Sequence, residues 1–210
     1  MRGIRRTVQL PSKRKAPVLA ETARAMVSMA PTSIKGLRDR ALLLLGFAGA
    51  FRRSELVALN VADLEETDDG IRVIIRRSKT DQTGEGQIIA IPRGTAASCP
   101  VRAIKVWLEA AAISEGSVFR PIRKGGKVRD QRRSAKSVCD LVHAYAGRVG
   151  LDAASYGAHS LRSGFLTSAA RRGASIFKMA DQSRHKSMDV LRSYVRDSEL
   201  FKDHAGEGLL

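Results

Sequence analysis

The stretch VADLEETDDGIRVIIRRSKTDQTGEGQIIAIP, residues 61–92, interrupts an otherwise helical sequence and decides the fold class. Apolar, mostly β-branched residues recur along it, and two turn sequences divide it, DDG at 68–70 and TGEG at 83–86. Pro92 follows the last apolar run and is expected to end it. The pattern predicts three short antiparallel strands, which lie roughly at 61–67, 71–77 and 87–91.

Both flanks of this stretch carry the 3.6-residue periodicity of helices. Before it, the periodicity predicts a helix at 17–30, a nearly continuous apolar helix from Ser33 to Ala50, and a short helix at 54–59 capped by Ser54. After it, five further helical segments are expected, at 100–112, 134–150, 158–173, 174–183 and 188–195. The predicted fold class is therefore mainly α with a small antiparallel three-stranded β-sheet, an α+β fold.

Length and composition fit a globular domain. The chain has 210 residues, and 43% of them are hydrophobic, which is enough for a sizeable core. The run ALLLLGFAGAF is too short to span a membrane, and the basic N-terminus is not followed by the apolar segment of a secretory signal. Two distant cysteines and four scattered histidines give no metal-binding spacing, so we expect a cytoplasmic protein without metal or cofactor.

Charge gives the first strong indication of function. Lys and Arg number 37 against 21 Asp and Glu, a formal net charge of +16. Such an imbalance is typical of proteins that bind a polyanion, and nucleic acid is the commonest one. Residues 1–16 are especially basic and are interpreted either as a linker or arm that lies on DNA or as a disordered tail.

A few side chains stand where chemistry is feasible. Arg52 follows the apolar helix, with Glu55 three residues later, within reach to orient the guanidinium. His159 and Arg162 lie three apart at a predicted helix start, where backbone N–H groups favour an anion. Lys79 lies in a predicted hairpin. Taken singly, each of these residues is more simply explained as a solvated charge or a helix cap.

His185 and Tyr194 complete an ordered set. Along the chain stand GAFRRSEL, SKTDQTGEG, HSLRSGF and SRHKSMDVLRSYVR, which contain in turn an arginine, a lysine, a His-x-x-Arg pair, a histidine and a tyrosine. In this order and in so basic a chain, the set resembles the tyrosine recombinase (phage-integrase) family. The resemblance extends from about residue 17 to the C-terminal tail. Other chemistries do not match, because no nucleophile elbow, phosphate-binding P-loop or complete dinucleotide fingerprint occurs.

The resemblance implies a role for each residue. Arg52 and Arg162 would clamp the non-bridging oxygens of a DNA phosphate, with Glu55 supporting Arg52. His159 would help to move the tyrosine proton, and His185 would hydrogen-bond the phosphate. Lys79 would be the general acid that protonates the leaving 5′-oxygen, and Tyr194 would be the nucleophile. Further DNA contacts are expected from the basic residues Arg53, Arg76, Arg77, Arg123, Lys124, Lys127 and Arg184.

The resemblance also implies domains and partners. Residues 17–197 would form the catalytic domain, and 198–210 a tail that docks on a neighbouring protomer or folds on its own domain. The separate N-terminal domain usual in the family is not expected in this chain. The partners would be double-stranded DNA and three further protomers in a tetramer on paired sites, with a monomer expected without DNA. Two alternatives stay open: relaxation of DNA by a type IB topoisomerase-like enzyme, and a DNA-binding module without turnover.

Overall fold

The computed structural model describes residues 15–76, 86–94, 97–200 and 205–207. Within them the chain forms eight α-helices and one three-stranded antiparallel sheet, so the predicted fold class is confirmed. The helices are α1 (Ala20–Ser28), α2 (Ile34–Ala48), α3 (Arg53–Ala58), α4 (Pro100–Ala110), α5 (Ala135–Arg148), α6 (Ala158–Arg171), α7 (Ile176–Ser183) and α8 (Met188–Glu199). The strands are β1 (Leu64–Glu66), β2 (Gly70–Ile75) and β3 (Gln87–Pro92).

The sheet has the order β1-β2-β3 and stands between α3 and α4 in the chain. Val73 of β2 pairs with Leu64 of β1 on one side and with Ile89 of β3 on the other. The first strand is shorter than predicted, because Val61–Asp63 form a 3₁₀ turn before it. In that turn the Asp63 carboxylate accepts the backbone N–H of Asn60 at 2.8 Å, a local bond that competes with strand pairing.

Helix α2 is the central element of the core. Its apolar run Leu42–Leu45 is buried, and the helix packs along α4, as a nearly continuous apolar helix should. Ser33 begins the helix by accepting the Gly36 N–H at 3.4 Å. On α4, the fully buried Trp107 donates its indole N–H to the Val118 carbonyl at 2.8 Å, so its one polar atom is satisfied.

Helices α6, α7 and α8 enclose a second, smaller core. Its buried members are Leu166, Ala170, Met179 and Leu191. Gln182 ties α7 to the rest of the fold, because its side-chain amide donates to the carbonyls of Ala48 at 2.8 Å and Ala90 at 3.0 Å. The turn after α7 is therefore held against the C-terminal end of α2.

Residues 16–19, which we call the N-terminal strap, lie extended along α6. The Val18 N–H donates to the Ser160 carbonyl at 2.8 Å, and the Ala20 N–H donates to Ser168 Oγ at 3.0 Å. Gly164 permits this approach, since a Cβ there would stand 1.7 Å from the Val18 carbonyl oxygen. The strap explains why α1 begins at Ala20 rather than at residue 17, as the sequence periodicity predicted.

No helix in the described part of the chain is long and apolar enough to cross a membrane.

Candidate active site

The candidate site forms where the ends of three helices meet: the C-terminal end of α2, the start of α6 and the turn after α7. The Ala50 carbonyl lies at the centre, because it accepts Arg162 Nη1 at 2.7 Å and Arg184 Nη2 at 3.1 Å. Ala50 has a φ of 44°, a left-handed conformation that is uncommon for residues with a side chain. The backbone thus turns its carbonyl toward two guanidinium groups at the end of α2.

Arg52 is held by Glu55 through two separate hydrogen bonds. Arg52 Nη1 donates to Glu55 Oε1 at 2.6 Å, and the Arg52 backbone N–H donates to Oε2 at 2.9 Å. The second bond caps α3 from within, so the prediction that Ser54 caps this helix is wrong. The Arg52 side chain stays 22% exposed while that of Glu55 is 2% exposed. One face of this guanidinium is therefore open to a ligand.

Arg184 is the second partner of Glu55. Its Nη2 donates to Glu55 Oε2 at 2.7 Å, and its Nη1 donates to the carbonyls of Gly49 at 3.1 Å and Gln182 at 2.6 Å. Burial alone raises the pKa of Glu55, but Arg184 and the Arg52 hydrogen bonds outweigh it and bring that pKa below its ordinary value. Glu55 is therefore a carboxylate shared between two cations.

Arg162 is almost fully buried, with 2% of its surface exposed. Burial, and then the neighbouring cations Arg52 and Arg184, lower the pKa of Arg162 to about 9, which keeps the guanidinium charged at neutral pH. Its Nη2 lies 3.3 Å from both ring nitrogens of His185. A buried cation with one donor turned toward an imidazole is suited to receive an oxyanion.

Burial and the surrounding cations favour the neutral form of the two histidines of the site. Burial, followed by Arg162 and Arg52, lowers the pKa of His185 to about 4. The pKa of His159 is also lowered, by burial of part of its ring and then by Arg162 and Arg52. His159 is nevertheless exposed, at the rim of the site. A neutral imidazole carries a lone pair that can accept a proton, although a pKa of about 4 makes His185 a weak base at neutral pH.

Tyr194 lies on α8, half-buried against the small core of α6, α7 and α8. When ionised, its phenol raises the pKa of Arg162, which places the two groups within electrostatic range of each other. The sequence prediction required this phenol to approach the arginines. Arg52, His159, Arg162 and His185 thus lie around one region with Glu55 behind it, and Tyr194 lies within electrostatic range of Arg162.

The family model described as the phage integrase family matches residues 18–200. This chain belongs to the phage integrase family. The match begins within the strap and includes the sheet and all eight α-helices of the described residues.

Two relatives in this family are named recombinases. The chain is 42% identical over 207 residues to the integrase/recombinase XerD homolog of Selenomonas ruminantium, which covers 98% of this chain and 61% of the relative. It is 29% identical over 164 residues to the tyrosine recombinase XerC of Pelotomaculum thermopropionicum, which covers 76% of this chain and 50% of the relative. The chain therefore spans between half and two thirds of the length of these relatives.

Solved phage-integrase-type structures share the fold. The XerH site-specific recombinase in a post-cleavage complex with difH DNA superposes with a TM-score of 0.72 at 15% identity, over 94% of this chain and 54% of that one. The XerA recombinase superposes with a TM-score of 0.67 at 16% identity, over 94% of this chain and 66% of that one. At such identities the similarity establishes the fold of this integrase-family chain.

The other residues predicted to act on or contact DNA in this integrase-family chain do not all lie at the candidate site. Lys79 and Arg77 lie outside the described residues. Arg53 is exposed at the start of α3, beside Arg52. Arg76 is 61% exposed but forms an ion pair with the buried Asp63 carboxylate.

Arg184 differs most from its sequence prediction. It was expected to contact DNA, yet only 5% of it is exposed. Its Nη1 and Nη2 donate to Glu55 and to backbone carbonyls, and its buried Nε–H has no partner among the described residues. It adopts φ 57°, ψ 42° at the end of α7, a left-handed position where glycine is usual. The structure therefore gives Arg184 a supporting place behind Arg52, in contact with the protein interior.

The basic stretch FRPIRKGGKVRDQRR, residues 119–133, contains a short hairpin closed by one isolated β-bridge. Ile122 and Val128 pair across it, and Gly125 and Gly126, with φ of 86° and 83°, form the turn. The tip exposes the three predicted DNA contacts Arg123, Lys124 and Lys127. Gly126 lies beside Ile34, at the end of α2 far from Arg52, and a 15-residue helix is about 20 Å long. The hairpin is therefore remote from the catalytic candidates.

Sequence reasoning missed Ser183, the last residue of α7. Its hydroxyl lies 2.8 Å from His185 Nδ1 and 2.6 Å from the Met179 carbonyl. The available sequence signal was a serine two residues before a candidate catalytic histidine. The direction of the serine side chain, however, depends on where α7 ends. In the described residues, no group of three or more His, Cys, Asp or Glu side chains is placed to bind a metal.

Proposed function

We propose that this chain is the catalytic part of a site-specific DNA recombinase, which cuts and rejoins DNA strands through a 3′-phosphotyrosyl intermediate on Tyr194. The observation that carries the proposal is the convergence of Arg52, Arg162 and His185 around one end of α2. The net charge of +16 and membership of the phage integrase family support DNA as the substrate.

The proposed step exchanges one phosphoester for another. The Tyr194 oxygen attacks the phosphorus, a Tyr–O–P bond forms, and the bond from phosphorus to the 5′-oxygen breaks. The phenol proton passes to a neutral base, for which His159 stands at the rim, and Lys79 donates a proton to the leaving 5′-oxygen. Rejoining reverses the same step, so the bond energy is conserved and no nucleotide is consumed.

The arginines supply the charge that stabilises the transition state. Arg162 and Arg52 are fixed before substrate arrives, because the Ala50 carbonyl and Glu55 hold them. Preorganised donors cost little reorganisation during the reaction, and removing one such donor typically lowers the rate about 10²–10³-fold. A guanidinium offers paired N–H groups that match two oxygens of one phosphate.

The proposal extends to assembly. The XerH structure that shares this fold was solved bound to its DNA substrate. We propose double-stranded DNA as the partner here, with four protomers acting on paired sites and the chain monomeric without DNA. Residues 198–210 would then dock on a neighbouring protomer.

The test is capture of a covalent DNA adduct. A library of duplexes, each nicked within a randomised segment, is incubated with the protein in EDTA and washed under denaturing conditions. The expected result is an adduct with the natural chain and none with Tyr194→Phe. Tyr156→Phe is the matched control and should retain the adduct, since Tyr156 is a half-buried tyrosine outside the site.

Other outcomes separate the alternatives. Binding of the library without an adduct would support a DNA-binding module. Relaxation of supercoiled plasmid of any sequence by a monomer would support topoisomerase-like activity. An adduct that persists in Tyr194→Phe, or that requires added magnesium, would overturn the mechanism.

A further inference from the structure

Ser183 makes two short contacts that together define the positions of hydrogens. The residue is fully buried at the end of α7. Its Oγ lies 2.6 Å from the Met179 carbonyl oxygen and 2.8 Å from His185 Nδ1. Both separations are within the range of strong hydrogen bonds.

Only one assignment of hydrogens satisfies both contacts. Two oxygens 2.6 Å apart require a hydrogen between them, and the Met179 carbonyl has none to give. The Ser183 hydroxyl must therefore donate to Met179, which uses its only hydrogen. The contact with His185 then needs a hydrogen on Nδ1, and Ser183 Oγ accepts it.

We infer that Ser183 is a positioning residue that holds neutral His185 in the Nδ1–H tautomer, so that Nε2 is a proton acceptor. Arg162 Nη2 lies 3.3 Å from Nε2 and the same distance from Nδ1, so this guanidinium nitrogen faces the ring rather than one of its nitrogens. Because Ser183 places the hydrogen on Nδ1, Nε2 carries a lone pair where a hydrogen-bond donor was expected from the sequence.

The surroundings of His185 favour this neutral form. Arg162 and His159 face it from α6, Arg52 from the start of α3, and Arg184 from the adjoining turn. Tyr194 on α8 stands within electrostatic range of Arg162, and Glu55 already pairs with Arg52 and Arg184. The cations on every side disfavour a further positive charge, consistent with the low pKa of His185.

A phosphate changes this balance, and this step rests on the proposed function. A phosphate oxygen at Nε2 would meet a lone pair, so hydrogen bonding requires His185 to take one proton from solvent. The anion also offsets the surrounding cations and raises the pKa of His185. Ser183 suits both states, because its Oγ accepts from Nδ1 whether the imidazole is neutral or protonated. Oxyanion binding at this site is therefore coupled to uptake of one proton, and it strengthens as pH falls.

The tautomer can be measured without DNA. The chain has only four histidines, so protein labelled with ring-¹⁵N histidine gives few signals, and His185→Gln identifies the relevant pair. At neutral pH we expect the His185 signals of an Nδ1–H imidazole. Ser183→Thr keeps the hydroxyl and should preserve that pattern, whereas Ser183→Ala should populate the Nε2–H form. A natural chain already in the Nε2–H form, or a pattern unchanged in Ser183→Ala, would overturn the inference.

Proton uptake is tested with sulfate, an oxyanion that does not titrate near neutral pH. Sulfate should convert His185 to imidazolium in the natural chain, and its affinity should rise toward tenfold per unit fall in pH, the limit for one linked proton. This dependence should weaken in Ser183→Ala and persist in Ser183→Thr. Equal pH dependence in all three would contradict the coupling. Because neither measurement involves Tyr194 or DNA cleavage, failure here is distinguishable from failure of the proposed function.

Discussion

Replacing Glu55 by glutamine tests the buried charge network behind Arg52. The carboxylate accepts three hydrogen bonds, from Arg52 Nη1 at 2.6 Å, the Arg52 N–H at 2.9 Å and Arg184 Nη2 at 2.7 Å. Glutamine has nearly the same shape but no charge. Its NH₂ group would also point hydrogens at an arginine that already donates. The variant therefore leaves two buried or half-buried cations without their shared anion.

The expected cost is large for a single substitution. Removing one partner of a buried ion pair typically costs about 3–5 kcal/mol of unfolding free energy. For a domain of this size that corresponds to a fall in Tm of roughly 6–20 °C. Glu65→Gln is the matched control, because Glu65 pairs with Arg72 while both side chains are about half exposed, at 55% and 48%. An exposed pair of this kind contributes about 0–1 kcal/mol.

The assay is urea unfolding of the natural chain and both variants across pH. Because the folded-state pKa of Glu55 lies below its ordinary 4.5, its contribution is complete above about pH 4.5. It is lost as the pH falls through the folded value, so the gap between the natural chain and Glu55→Gln should narrow there. A Glu55→Gln variant as stable as Glu65→Gln at pH 7, or a gap that stays constant into acid, would refute the reasoning.

Two further predictions concern the strap and the hairpin. Gly164→Ala would place a Cβ 1.7 Å from the Val18 carbonyl oxygen and should destabilise the fold by about 2–4 kcal/mol through lost strap packing and hydrogen bonding. Gly147→Ala, in α5 with open space around it, should instead stabilise the fold by about 0.5–1 kcal/mol. Urea unfolding measures both variants, and a similar loss of stability in both would contradict the clash. Neutralising the hairpin tip should reduce the slope of log affinity against log salt for DNA by up to about 2.7 without preventing adduct formation, and an unchanged slope would remove the hairpin from the DNA interface. The substitutions for that test are Arg123→Ala, Lys124→Ala and Lys127→Ala.

The sequence predicted the architecture well because periodicity reports burial directly. The apolar run of α2 and the strand pattern around Val73 each match one buried face. The sequence predicted less about how helices are capped and which side chains form ion pairs. The cap of α3 depends on a back-bond from Glu55 rather than on Ser54, and periodicity does not distinguish these. Arg184 was expected to contact DNA as one of the chain's basic residues. Only the tertiary meeting of α3 with the turn after α7 supplies its buried carboxylate partner.

The N-terminal strap has a mechanical consequence. The strap is hydrogen-bonded to α6 twice: Val18 bonds to Ser160, which lies between His159 and Arg162, and Ala20 bonds to Ser168, six residues after Arg162. Tension on the strap is borne by the helix that carries His159 and Arg162. A protein fused ahead of the strap would be held close to the candidate site. The rigidity of the connection to the strap would determine how much of its motion is transmitted to Arg162.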